Sequence, residues 1–361
     1  MGKNITYYIS VIFLIFIVVL LYVLVSQPAM PLPINNTTNT SFSAPLHQIF
    51  VTNGASNSDS VSVINATNYT VVKTINGFLH PTAIAISPNG AQAFVTNSGS
   101  DTVSIIDTAI DTLVKNITVG QNPSGIAFSP NGAEVFVTSN NGSFNSTVSV
   151  INTTTDLVVN TIPVEYSAEG IAISPNGAQA FVTVDGNIAI INTSSNKVVN
   201  YVETFYFDPS QKKYVGHNPY GVVVSPSGSW AFVSSSDAST IYIINTTTDI
   251  LARNISGVGG GSDPYGSEIA ISPNGTTLFV TNVSSVSHSP SGTVSVINTT
   301  TDAIVKTVSV PPPYGIAISP NGTQIATTNP SGDSVSIIST ANYAIIKTIR
   351  VGIGPEGIAI T

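Results

Sequence analysis

The stretch IAISPNGAQAFVTN, residues 84–97, returns in near copy as IAFSPNGAEVFVTS at 126–139, IAISPNGAQAFVTV at 171–184 and IAISPNGTTLFVTN at 269–282. It reads as strand, turn, strand. Ser-Pro-Asn-Gly suits a type I turn, with Ser at the first position, Pro pre-set at the second and Gly at the fourth. The turn, as SPNG or SPSG, starts at Ser87, Ser129, Ser174, Ser225, Ser272 and Ser319, so the spacing stays between 42 and 51 residues. A period near 45 with several short strands predicts propeller blades.

Two more strands follow each copy. A VSVIN-like run recurs at 61–65, 103–107, 148–152, 188–192, 241–245, 294–298 and 335–339, and a VVKTI-like run recurs some ten residues after each. These strands are β-branched and apolar on both faces, as needed when each sheet lies between two others. Residues 47–361 accommodate seven such units. The first unit begins at its second strand, FVTN at 50–53, and the chain ends on an isolated first strand, GIAIT at 357–361. The expectation is an all-β, seven-bladed β-propeller of four-stranded blades, closed by pairing of the N- and C-terminal strands. An open array would leave an apolar blade face unburied.

The FVTN tetrads (50–53, 94–97, 279–282), the SPNG turns and the VSVIN strands closely resemble the YVTN family of β-propeller repeats. Phe stands where that family has its leading Tyr, and the seventh unit degenerates to ATTN at 326–329. The resemblance implies a cell-surface, surface-layer-type protein. It carries over no catalytic residue, because the family shares no catalytic motif.

Ahead of the repeats, residues 1–6 form a short cytoplasmic N-terminus and residues 7–26, YYISVIFLIFIVVLLYVLVS, hold no charge. Twenty residues of helix span about 30 Å, the thickness of a bilayer's hydrocarbon core. We read 7–26 as an uncleaved transmembrane signal-anchor helix, longer than the apolar stretch of a cleaved signal. Lys3 before the span places the rest outside the cell membrane. Residues 27–46, rich in Pro, Asn and Thr, read as a tether. Sixteen N-x-S/T sequons lie beyond the span, among them Asn36 in the tether and Asn65, Asn152, Asn192, Asn245 and Asn298 opening the turns between third and fourth strands. They are candidate glycosylation sites, or simply Asx turns.

Only 8% of residues are charged and the formal net charge is −8, which excludes the basic footprint of a nucleic-acid binder. Cysteine is absent, removing thiolate metal sites and Cys nucleophiles. GIGPEG at 352–357 leads into a strand rather than a helix, so it is no dinucleotide fingerprint. No GxSxG elbow, Ser/His/Asp set or metal-ligand cluster is apparent, and no catalytic residue, metal or cofactor is assigned.

Variation gathers where the outer strand of one unit leads into the first strand of the next. There a Pro-x-Gly-like step places Thr82, Ser124, Glu169, Tyr220, Tyr265, Tyr314 and Glu356 at x. Glu169, Tyr220, Tyr265, Tyr314 and Glu356, with His217 nearby, are the candidate ligand-binding residues, suited to a sugar, an amine or a cation. The longest such connection, 203–220, suggests a projecting hairpin. The lysines and arginine shared by the outer strands (Lys73, Lys115, Arg253, Lys306, Lys347) are expected to guard exposed sheet edges.

The functional expectation is a membrane-anchored extracellular propeller acting as a binding or scaffold module toward glycans or envelope proteins. The alternative is a lactonase-, lyase- or quinoprotein-dehydrogenase-like enzyme with its site at the central channel.

Overall fold

A computed structural model of the chain describes residues 47–142, 145–204, 206–208, 213–215, 218–235, 239–258, 267–284 and 291–361. These form seven four-stranded antiparallel sheets and a small two-stranded hairpin. Blade 1 is Pro355–Ile360, Gln48–Asn53, Ser60–Asn65 and Thr70–Asn76, so the last strand of the chain joins the first three. Val51 pairs with Ile358 and Phe50 with Ala359, sealing the ring. Blades 2 to 7 follow in chain order, opening at Pro81, Pro123, Ala168, Pro219, Ile269 and Ile316. The anchor (7–26) and the tether with Asn36 lie outside the described residues, which contain no helix long and apolar enough to cross a membrane.

The repeated residues have separate duties. The Phe of the second strand fills the gap between blades: Phe50, Phe94, Phe136, Phe181, Phe232 and Phe279 are all buried. In blade 7 Ala326 replaces it, packed with Val335, Ile337, Ile49, Val51 and Ile358 across the closing seam. In the first repeat turn, Gly90 donates its amide to Ser87 O at 2.8 Å with φ +73°, while Ser87 Oγ takes the amide of Gln92 at 3.0 Å. In blades 1 to 6 the turns between third and outer strands are Asx turns. Asn65, Asn152, Asn245 and Asn298 each accept amides two and three residues on through Oδ1, and Asn192 accepts that of Ser195. Turn geometry thus accounts for these asparagines.

The Thr of the tetrad makes a bond that its sequence context gives no hint of. Its hydroxyl donates to the carbonyl of the x residue of the next blade: Thr52 to Thr82, Thr96 to Ser124, Thr138 to Glu169, Thr183 to Tyr220, Ser234 to Ser267, Thr281 to Tyr314 and Thr328 to Glu356. The same oxygen accepts the amide one residue after the x position of its own blade, as Gly125 to Thr138 at 2.7 Å. Seven latches therefore run around the innermost strands. They demand close approach: a Cβ on Gly125 would lie 2.3 Å from Glu169 O.

The outer strands add to one expectation. Each carries a β-bulge opposite the third strand, between Val63 and Ile64 in blade 1 and at the matching place in the other six. A bulge twists an edge away from pairing. Lys73, Lys115 and Arg253 reach the next blade: Lys73 donates to Ile110 O, Lys115 pairs with Asp156 at 3.4 Å, and Arg253 grips Asp302 at 2.5 and 3.2 Å. The bulge therefore adds to the edge protection expected of the basic residues, three of which also bridge to the next blade.

Candidate functional site: the mouth of the channel

The latches fix the backbone of every x residue at one end of the central channel. A cavity of about 550 Å³ opens there. Its wall carries Glu169, Tyr220, Tyr314 and Glu356 together with Thr82, Ser124 and Glu268, above the aliphatic side chains of Ile84, Ile126, Ile171, Val222, Ile316 and Ile358. Four of the six residues expected at the mouth thus line one space. Tyr265 and His217 lie outside the described residues. The hairpin expected before blade 5 is present, Tyr206–Asp208 pairing with Lys213–Val215.

Glu268 was missed. In blade 6 the Pro-Tyr-Gly triplet sits two residues too early, so the latch carbonyl belongs to Ser267 and Glu268 stands where other blades have Gly125, Gly170 or Gly315. Counting back from Ser272, rather than matching the triplet, finds it. Glu268 lies beside blade 5, where a Cβ on Gly221 would fall 3.1 Å from its Oε2.

The mouth is asymmetric. Blades 2 and 3 contribute Thr82 and Ser124, whose hydroxyls are spent on a threonine of their own blade and a carbonyl of the next. Blades 4, 5, 6, 7 and 1 contribute Glu169, Tyr220, Glu268, Tyr314 and Glu356. The Tyr220 and Tyr314 hydroxyls are hydrogen-bonded to each other, with ring centroids 6.4 Å apart and planes at 85°. Asn140 Nδ2 donates to Glu169 Oε1 at 3.0 Å. His80, whose Nδ1 lies 3.0 Å from Gly54 O, is near enough to Glu356 to stabilise its charge.

Burial governs the protonation of this arc. It raises Glu169 above the usual carboxyl range against the hydrogen bond from Asn140, and Asp185 adds to the rise. Burial pushes Glu268 to about 7, opposed by the Ile269 amide and reinforced by the charge of Glu169. It pushes Glu356 to about 7, opposed by His80. Both tyrosines are raised too, chiefly by burial. Two carboxyl groups therefore titrate around neutrality, where they exchange protons most readily. Among the described residues no set of His, Asp and Glu is grouped to hold a metal ion.

No protein-family model matches the chain, and no curated protein matches it in sequence. Solved structures do resemble it. Hydrazine synthase of Kuenenia stuttgartiensis superposes with a TM-score of 0.67 at 19% identity, over 81% of this chain and 92% of that one. A 6-phosphogluconolactonase candidate from Bacteroides fragilis superposes with a TM-score of 0.67 at 15% identity, over 89% and 99%. A functionally unknown protein from Desulfotomaculum acetoxidans gives 0.67 at 16%, over 87% and 98%. At these identities the likeness establishes the propeller fold and leaves activity to be argued from the site.

Proposed function

We propose that the chain is a membrane-anchored propeller of the YVTN kind, displayed outside the cell, that binds a small polar ligand in its channel mouth. The observation that carries this reading is the contrast between the two kinds of position. The framework residues repeat from blade to blade, whereas the x ring varies and, with Glu268 beside it, gathers two tyrosines and three carboxyl groups around a cavity of ligand size. The uncharged run at 7–26 and the sequon density support anchoring and export.

An enzyme is the second reading, and Glu268 and Glu356, both poised near 7, favour it. Chemistry on a phosphorylated sugar, as the name of the Bacteroides neighbour implies for that protein, fits poorly here. No lysine or arginine stands among the described residues of the wall, and a phosphate would meet three carboxyl groups.

The test is a glycan array and an envelope pull-down with the full-length chain, wild type against Tyr220→Ala/Tyr314→Ala. Loss of capture in the double variant supports the mouth as the binding site. Capture unaffected by it removes the mouth from the proposal. Turnover of a lactone or sugar acid, abolished by Glu268→Gln or Glu356→Gln, would establish the enzyme instead.

A further inference from the structure

Among the described residues, no lysine or arginine balances the carboxyl groups of the mouth. Glu169, Glu268 and Glu356 enter from blades 4, 6 and 1, so they surround the cavity instead of clustering on one wall. Their described partners are few: an amide from Asn140, the Ile269 amide, and the nearby ring of His80. No described lysine or arginine lines the cavity. Negative charge held in a half-enclosed space without a counter-charge is costly, and an occupant that supplies the missing charge recovers that cost.

Resting on the reading of the mouth as a ligand site, we propose that its occupant is a small organic cation, a protonated amine on a polar skeleton, held by Glu169, Glu268 and Glu356 and flanked by Tyr220 and Tyr314.

Each alternative occupant fails on a particular feature. An anion meets three carboxylates and no described cation in the wall. A neutral sugar leaves the buried charges as they were. A bare divalent ion needs converging oxygens, and these carboxyl groups come from separated blades, with no metal-competent group among the described residues. An extended organic cation reaches more than one of them. The tyrosines suit it as well, because their ring faces attract cations and their hydroxyls accept N–H donors. The cavity, about 550 Å³, matches small-molecule sites in size, and the aliphatic floor from Ile84 to Ile358 receives the carbon skeleton.

Protonation supplies a signature. Glu268 and Glu356 hold their protons up to about pH 7 in the empty mouth. A bound ammonium group favours the carboxylates and expels those protons. Among the described residues, the titratable groups facing the site are Glu169, Glu268, Glu356, Tyr220, Tyr314 and His80, with Asp185 behind Glu169. The primary amines of spermidine, on plain alkyl chains, stay protonated through pH 8, so for that ligand the carboxyl groups set the trend.

Isothermal titration of the full-length chain with spermidine, glucosamine and glucose tests this. Spermidine or glucosamine should bind, whichever of the two binds more tightly identifying polyamine or amino sugar as the source of the charge. Glucose should bind at least about tenfold more weakly than that ligand. Spermidine affinity should rise about tenfold or more from pH 6 to pH 8, with proton release visible as different heats in phosphate and Tris. Glu268→Gln and Glu356→Gln should each cost at least about tenfold in affinity, with thermal unfolding showing that both variants fold. Glucose binding as tightly as glucosamine overturns the cationic occupant and leaves the ligand site standing. No binding by any of the three overturns both. Amine binding indifferent to both substitutions overturns the placement and with it the proposal.

Discussion

Thr328 Oγ1 donates a 2.7 Å hydrogen bond to the carbonyl of Glu356 while accepting the amide of Gly315 at 2.8 Å. Thr328 belongs to blade 7 and Glu356 to the strand that completes blade 1. One hydroxyl therefore holds the seam of the ring and sets the backbone that presents a carboxyl group to the channel. The framework and the candidate site are joined at each of the seven latches, and here at the point where the two chain ends meet.

Thr328→Val keeps the shape of the side chain and removes both bonds. It should destabilise the propeller by about 1–3 kcal/mol, the cost of leaving a buried amide and carbonyl unpaired. Denaturant unfolding measures this. Thr74→Val, at an exposed position of an outer strand, should change stability by no more than about 0.5 kcal/mol. Equal effects would mean that the latch contributes nothing of its own.

The carboxyl groups give stability a direction with pH. Glu268 and Glu356 have folded-state values of about 7 against an ordinary 4.5, so the folded protein holds protons that the unfolded chain releases. Their contribution is fully present below about pH 4.5 and is lost as pH rises through 7. The melting temperature should therefore fall between pH 5 and pH 8. In Glu268→Gln/Glu356→Gln that fall should largely disappear, and scanning calorimetry across the range reads the difference.

Tyr220 and Tyr314 should ionise later than the exposed tyrosines, because burial disfavours the phenolate in both. A near-ultraviolet absorbance titration should show Tyr220 and Tyr314 among the late-titrating tyrosines, together with Tyr201, which burial also raises, and one fewer in Tyr314→Phe. That variant also leaves the Tyr220 hydroxyl without its partner, at a cost of about 1 kcal/mol.

The ring of blades was legible because its determinants are local. Ser-Pro-Asn-Gly dictates a turn wherever it stands, the spacing of the turns counts the blades, and the lone GIAIT at the C-terminus asks for a partner. The latch was not legible, since a Thr within a β-branched strand looks like any other and its partner carbonyl lies in the next blade. At the site, Glu169, Tyr220, Tyr314 and Glu356 could be placed because they follow the shared step into the first strand. Glu268 could not be found by that rule, because blade 6 shifts its triplet by two residues and puts a side chain where the fold elsewhere wants glycine. The place of the basic residues in the outer strand was legible from its recurrence, but not their partners, because Asp156 and Asp302, which receive two of them, belong to the next blade.

Every position described for the mouth depends on the ring being closed by its two ends, and the absence of cysteine makes closure directly measurable. Ile49 and Ile360 face each other across the seam. In Ile49→Cys/Ile360→Cys, facing positions on neighbouring antiparallel strands lie within reach of a disulfide. Mild oxidation followed by peptide mass spectrometry should find the two cysteines linked within a single chain, with the melting temperature unchanged or raised. Free thiols after oxidation, or a linkage only between chains, would mean that the ends do not meet and that the channel mouth is not built as described.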